Sequence, residues 1–243
     1  MKLAELISVK KVVAQAAIDV ESTAKGLKVA YAAVQSGFEI LEAGTPWLAK
    51  EGLRPIEALA GRFAGKALIL ADYKLFDSPA GTIKAAAAAG ADIVTIMAAA
   101  PISVIEEAIM AAREFGAEIM VDMMGFGELL GESHLVRRAK LMEEMGVDAV
   151  AVHKGISDQV KGKGGYPFSE LRKIAGSISI PCAAVGGLTS IQIPLAISCG
   201  AKILVFGGSL HKAADPQKEA LEIIAAKERA LREIAAAQAL AKR

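Results

Sequence analysis

The chain has 243 residues, 53% of them hydrophobic, with 28 basic against 27 acidic side chains and two cysteines. This length suits a single α/β barrel domain, and no Pro/Ser-rich linker or charge run divides it. A formal net charge of +1 gives no field for wrapping a polyanion, so neither nucleic acid nor a membrane surface is an expected partner; Cys182 and Cys199, without C-x-x-C spacing, read as buried thiols of a cytoplasmic protein.

In chain order, residues 1–11 read as an N-terminal helical extension without the apolar core of a signal peptide. Residues 12–19 follow as a first strand. An Ala-rich amphipathic segment then ends in a glycine, one residue, a charged position and a short β-branched run. The unit recurs as Gly37-Phe38-Glu39-Ile40, Gly90-Ala91-Asp92-Ile93, Gly146-Val147-Asp148-Ala149 and Gly200-Ala201-Lys202-Ile203. Each copy reads as a helix closed by a left-handed glycine and feeding a buried parallel strand. Residues 85–102, Ala-rich and broken by Asp92, are therefore a helix running into a strand, not a membrane span. Adding runs at 67–72, 118–122 and 178–185 gives eight strands, each followed by a helical segment. Eight βα units in this length predict a single-domain (βα)8 TIM barrel. The rival open sheet should show G-x-G-x-x-G after an early strand, and none is present. From about 215 to 243 an Ala/Glu/Lys/Arg helix closes the outer ring.

Barrel chemistry gathers where the strands end, so polar residues closing apolar runs are the candidates. They are Asp19, Glu42, Asp72 with Lys74 and Asp77 beyond it, Asp122 and His153. Strands 7 and 8 end instead in Gly186-Gly187 and Gly207-Gly208-Ser209, whose backbone N–H groups can close around a phosphate. Carboxylates converging on one mouth repel one another unless a cation lies among them. Hard oxygen ligands favour Mg²⁺, with Glu42 and Asp72 on adjacent strands as its protein ligands; alternatively one or two of these acids only orient Lys74. A lysine among acids stays charged and can stabilise an oxyanion, and His153 can move protons near neutral pH. Asp72 and Lys74, two apart, are expected on one face of an extended strand end. His134 and His211 are expected on helices or loops.

Read together, Ala17-Ile18-Asp19, Leu41-Glu42-Ala43-Gly44-Thr45-Pro46, Asp72-Tyr73-Lys74-Leu75-Phe76-Asp77, Val121-Asp122, Val152-His153-Lys154-Gly155, Val185-Gly186-Gly187 and Phe206-Gly207-Gly208 resemble the orotidine-monophosphate-decarboxylase superfamily of barrels, in its 3-hexulose-6-phosphate synthase branch. That resemblance implies Mg²⁺-dependent, reversible aldol addition of formaldehyde to D-ribulose 5-phosphate. It also implies roles: Glu42 and Asp72 on the metal, Lys74 at the enediolate oxygens, His153 as proton shuttle, Asp19 and Asp122 at the substrate. Asp77 would reach into the neighbouring site of a homodimer with shared active sites. Two decarboxylase branches are the alternatives, with orotidine monophosphate or 3-keto-L-gulonate 6-phosphate as substrate. The first normally carries a lysine where Glu42 stands and an arginine where Gly208 stands; the second usually carries an arginine where Ile156 stands. A phosphate-sugar-binding barrel without turnover is the non-enzymatic alternative. Departures from the branch pattern fall at residues 97–100, in the run after Asp122 and at Ser157.

Overall fold

The computed structural model describes residues 2–127, 131–161 and 165–241. Eight parallel strands close into a barrel in chain order: β1 (Val13–Ile18), β2 (Ile40–Ala43), β3 (Leu68–Leu75), β4 (Ile93–Met97), β5 (Glu118–Asp122), β6 (Ala149–His153), β7 (Cys182–Val185) and β8 (Ile203–Phe206). The helices are α1 (Leu3–Lys10), α2 (Thr23–Ser36), α3 (Thr45–Glu51), α4 (Arg54–Phe63), α5 (Pro79–Ala88), α6 (Ile102–Phe115), α7 (Glu132–Met145), α8 (Ile156–Val160), α9 (Phe168–Ala175), α10 (Ile193–Ser198), α11 (Gly208–His211) and α12 (Pro216–Ala241).

Period-two alternation sorts the strands into two cores. Val13, Ile40, Leu68, Leu70, Ile93, Met120, Ala151, Ile203 and Val205 fill the barrel interior, and Leu3 and Leu6 of α1 join this cluster. Ala14, Leu41, Ile69, Val94, Val150 and Leu204 belong to the outer cluster, where they meet the helix faces. The same alternation carries the inward rows on to Gln15, Glu42, Asp72, Thr95, Asp122 and His153, so the polar strand ends converge by register.

The recurring glycine unit has a concrete purpose. Gly37, Gly90, Gly146 and Gly200 all take φ between 90 and 104° and close their helices. The acid two residues later accepts a backbone amide from the preceding strand: Glu39 from Ala14 (2.8 Å), Asp92 from Ile69 (2.7 Å) and Asp148 from Ile119 (2.8 Å). Each acid thus pins the base of one strand to the next and satisfies an amide at the barrel rim. Glu118 does the same for α1, accepting the Leu3 amide at 2.9 Å. Glu39 is shared with Lys227 of α12, 2% exposed, at 3.0 Å. Burial raises the carboxyls of Asp92, Glu118 and Asp148 above the usual range, with their amide hydrogen bonds opposing.

Two expectations need correction. The seventh strand begins at Cys182 rather than 178. Ser179 and Ile180 give their amides to Glu143 (2.6 and 3.2 Å), and Pro181 has none to give, so the residues from Ser179 to Pro181 donate nothing to the ladder, although the Pro181 carbonyl accepts the Val150 amide at 3.0 Å. In β3, Ala71 pairs with Val94 but Leu75 pairs with Ile96, so four steps match two on β4. Asp72 and Lys74 therefore meet across a bulge rather than along a regular extended face. Cys182 and Cys199 are free and buried, and burial pushes the Cys182 thiol up to about 12.

Candidate active site

The bulge in β3 builds the centre of the site. Lys74 sits at φ +49°, a left-handed conformation that L-residues adopt at a cost of about 1 kcal/mol. Its amide donates to Thr95 Oγ1 at 2.9 Å, fixing the turn. The displaced backbone brings the ammonium back onto Asp72 Oδ2, with Thr45 Oγ1 at 3.3 Å. Asp72 is 5% exposed; it also accepts from Thr45 (2.8 Å) and, at its other oxygen, from Thr95 (2.9 Å). Burial works against the charge on Lys74, but the charge and hydrogen bond of Asp72, with Asp122 and Glu42 beyond, hold its pKa above the usual lysine value.

Around this pair stand the other strand ends. Glu42 is 7% exposed, and Gln15 Nε2 donates to its Oε2 at 2.5 Å. Burial first, then the charges of Asp72 and Asp19, push the Glu42 carboxyl well above its usual value. Asp19 lies at the open mouth; a Cβ at Gly44 would stand 2.2 Å from its Oδ1 and 2.9 Å from the Ile18 carbonyl oxygen, so a side chain there would displace the carboxylate and crowd the β1 backbone. Desolvation at its base, followed by Asp72, raises its carboxyl, while His211, Lys74 and His153 pull it down. Across the mouth, His153 Nδ1 lies 2.7 Å from Asp122 Oδ2. Burial alone would raise Asp122, but the hydrogen bond and charge of His153 outweigh it and hold the carboxyl below its usual value. The Met124 amide donates to the other Asp122 oxygen at 2.9 Å.

The glycine loops follow β7 and β8, which are neighbours in the barrel. Gly186 has φ +99°, and a Cβ there would stand 2.1 Å from the Lys154 carbonyl, so this loop closes tightly against the β6 turn. Gly187 lies against Gln159, whose amide donates to the same carbonyl at 2.7 Å. Gly208 opens α11, and the Ser209 hydroxyl oxygen is buried without a hydrogen-bond partner.

Asp19, Glu42, Asp72, Lys74, Asp122 and His153 thus form one electrostatically linked mouth, with the four glycines and Ser209 in its β7 and β8 turns. Asp77 does not join them. It is exposed beyond β3 and accepts the Ser78 amide at 2.9 Å. Sequence reading missed five residues. Gln15, Thr45 and Thr95 hold the acids, and Gln15 was detectable from its inward position two before Ala17 and four before Asp19. His211 does lie on a helix, as expected, yet its charge reaches Asp19. Arg138 of α7 left no local signal. It donates to the Ala98 and Ala100 carbonyls (2.8 and 2.7 Å) and lies over the Phe126 ring at 5.8 Å, tying the β4 and β5 turns together.

Buried Glu42 and Asp72 beside one lysine, facing a His–Asp pair at the mouth of a closed barrel, define a barrel enzyme. The chain belongs to the orotidine 5'-phosphate decarboxylase / HUMPS family, whose model matches residues 14–223. Within it the chain is similar to 3-hexulose-6-phosphate synthases: 33% identical over 87% of its length and 98% of the Mycobacterium gastri protein, and 33% identical over 87% and 97% for the Staphylococcus epidermidis protein. A crystal structure of 3-hexulose-6-phosphate synthase matches with TM-score 0.80 at 30% identity, covering 88% of this chain and 99% of that one. The Salmonella typhimurium structure of that name matches with TM-score 0.81 at 28% identity, covering 90% and 100%.

Proposed function

We propose that the chain catalyses the reversible, Mg²⁺-dependent aldol addition of formaldehyde to D-ribulose 5-phosphate. Similarity to the synthases supports an aldolase-type lyase. The observation that carries the chemistry is the Lys74 ammonium, held by Asp72 and Thr45 and electrostatically linked to Asp122 of the His153–Asp122 pair.

The donor set fits Mg²⁺. Glu42 and Asp72 supply hard carboxylate oxygens from adjacent strands, and Gln15 Oε1 is a buried oxygen without a partner beside Glu42; burial, then the charges of Asp72 and Asp19, raise the Glu42 carboxyl, which a cation there would counter. Among the described residues no ready cluster of three His, Cys, Asp or Glu ligands exists, so Glu42 and Asp72 would hold the ion together with oxygens from outside the protein. When bound, the ion supplies Lewis-acid polarisation of the ketose oxygens.

The chain's own groups do the rest. With Nδ1 committed to Asp122, His153 offers Nε2 to accept the proton leaving C1 of the ketose. Lys74 donates to the oxygens on which negative charge then grows. C1 bonds to the formaldehyde carbon, and the former aldehyde oxygen takes up a proton. Asp19 accepts from substrate hydroxyls, and the two glycine turns with Ser209 receive the phosphate through backbone dipoles. Asp77, directed outward, would complete the site of a second subunit in a homodimer.

The 3-keto-L-gulonate 6-phosphate decarboxylase branch would carry an arginine where the apolar Ile156 stands, and the orotidine monophosphate branch a lysine where Glu42 stands and an arginine where Gly208 stands. The test is formaldehyde consumption with ribulose 5-phosphate and Mg²⁺ against an EDTA control. Metal-dependent consumption with a hexulose phosphate product supports the proposal; absence of consumption, or consumption unaffected by EDTA, refutes it.

A further inference from the structure

A cavity of about 460 Å³ opens beside His153, lined by the turns after β5 and β6 and by Leu135 and Pro167. His153 belongs to both places: its ring bonds Asp122 in the acid cluster, and the residue borders the cavity. The apolar walls are Met123, Met124, Leu135, Val152, Ile156 and Pro167. Met123 and Met124 directly follow Asp122, and Ser157 lies in the first turn of α8, so departures from the branch pattern after β5 and β6 line this cavity. Formaldehyde has two heavy atoms and needs on the order of 60 Å³, taking water's share of about 30 Å³ as the measure. The cavity is several times larger than that co-substrate requires. Methionine walls adapt to ligands of different length. Among the described residues that border the space the charged ones are Lys154, Asp158 and Glu170, one cation against two anions, so these give no surplus positive charge to hold a second phosphate.

We propose that this cavity is an acceptor-aldehyde pocket, and that the enzyme adds ribulose 5-phosphate to unphosphorylated short-chain aliphatic aldehydes longer than formaldehyde. The inference rests on the aldolase reading above. The step balances in the same way: C1 of the ketose loses its proton to His153, one C–C bond forms to the aldehyde carbon, and the aldehyde oxygen takes up a proton. The product has the summed mass of the two reactants.

The experiment supplies Mg²⁺ and ribulose 5-phosphate with formaldehyde, propionaldehyde or glyceraldehyde 3-phosphate in parallel, and reads adduct mass and rate. Formaldehyde and propionaldehyde should both give adducts, and the phosphorylated aldehyde none. Ser157→Trp and, independently, Met124→Trp narrow the cavity; each should lower the propionaldehyde-to-formaldehyde ratio of kcat/KM by about tenfold or more, the scale on which pockets discriminate small apolar groups. Turnover of formaldehyde without propionaldehyde overturns the pocket and leaves the aldolase standing, as does an unchanged ratio in both folded variants. A phosphorylated-aldehyde adduct overturns the assigned ligand class. Turnover of no aldehyde overturns the aldolase reading and the pocket with it.

Discussion

Replacing Lys74 by alanine and by glycine separates its chemistry from its backbone. Both variants lose the ammonium bound to Asp72. At an effective dielectric near 20, a charge about 4 Å from a growing oxyanion is worth on the order of 4 kcal/mol. Removal of one oxyanion donor from a water-excluded site costs about 10²–10³-fold in turnover. The Lys74 side chain is 21% exposed, so solvent screens part of the effect and the expected loss lies toward the lower figure. Both variants also leave Asp72 without its cation, so that cost cancels between them. The backbone does not cancel. Alanine at φ +49° retains a left-handed penalty of about 1 kcal/mol, and glycine removes it. For a chain of this size about 1 kcal/mol moves Tm by about 2–4 °C. Lys74→Gly should therefore melt about 2–4 °C above Lys74→Ala, while both are equally slow. Formaldehyde consumption and thermal unfolding, measured on the same preparations, check the pair. Turnover within a few-fold of wild type in either variant refutes the catalytic role; equal melting temperatures refute the backbone argument.

Mg²⁺ should raise the Tm of the wild type, and Glu42→Gln should abolish that rise, read by calorimetry with and without EDTA; no rise in the wild type, or a rise retained in the variant, contradicts the proposed metal site. Lys227→Met leaves Glu39 buried at the barrel base without its cation and should cost about 3–5 kcal/mol, with Lys227→Met/Glu39→Gln recovering much of it in denaturant titrations. Asp148 has a folded pKa raised above its unfolded value, so its stabilising contribution is full below the unfolded carboxylate range and is lost as pH rises through the folded pKa. Asp148→Asn should accordingly gain stability relative to wild type as pH rises from 4 to 7, and a difference that is flat with pH, or shrinks, contradicts this. The same unfolding series on Asp148→Ala should show a loss of about 1–3 kcal/mol at all pH values, because the Ile119 amide is then unpaired.

The sequence determined the barrel because its signals are local and repeated. In the four repeats a glycine closing the helix, a charged residue two positions later and a short apolar run state where strands begin, and period two states which residues face inward. Once eight such strands close in order, Glu42, Asp72, Asp122 and His153 must point into one mouth. Tertiary structure decided whatever depended on pairing between strands or on distant helices. The bulge in β3 comes from its register against β4, and that register turns Lys74 back onto Asp72 through a left-handed residue. Thr45 and Thr95 acquire meaning only when their strands lie beside Asp72. Glu143 of α7 takes the amides that would have lengthened β7, and Arg138 of the same helix ties two turns to which it has no sequence proximity. The cavity beside His153 has the same origin, since its walls come from β5, β6, α7, α8 and the approach to α9. Hydrogen bonds and packing between residues far apart in the chain leave no periodic trace, so these features follow from the closed barrel and not from any segment of it.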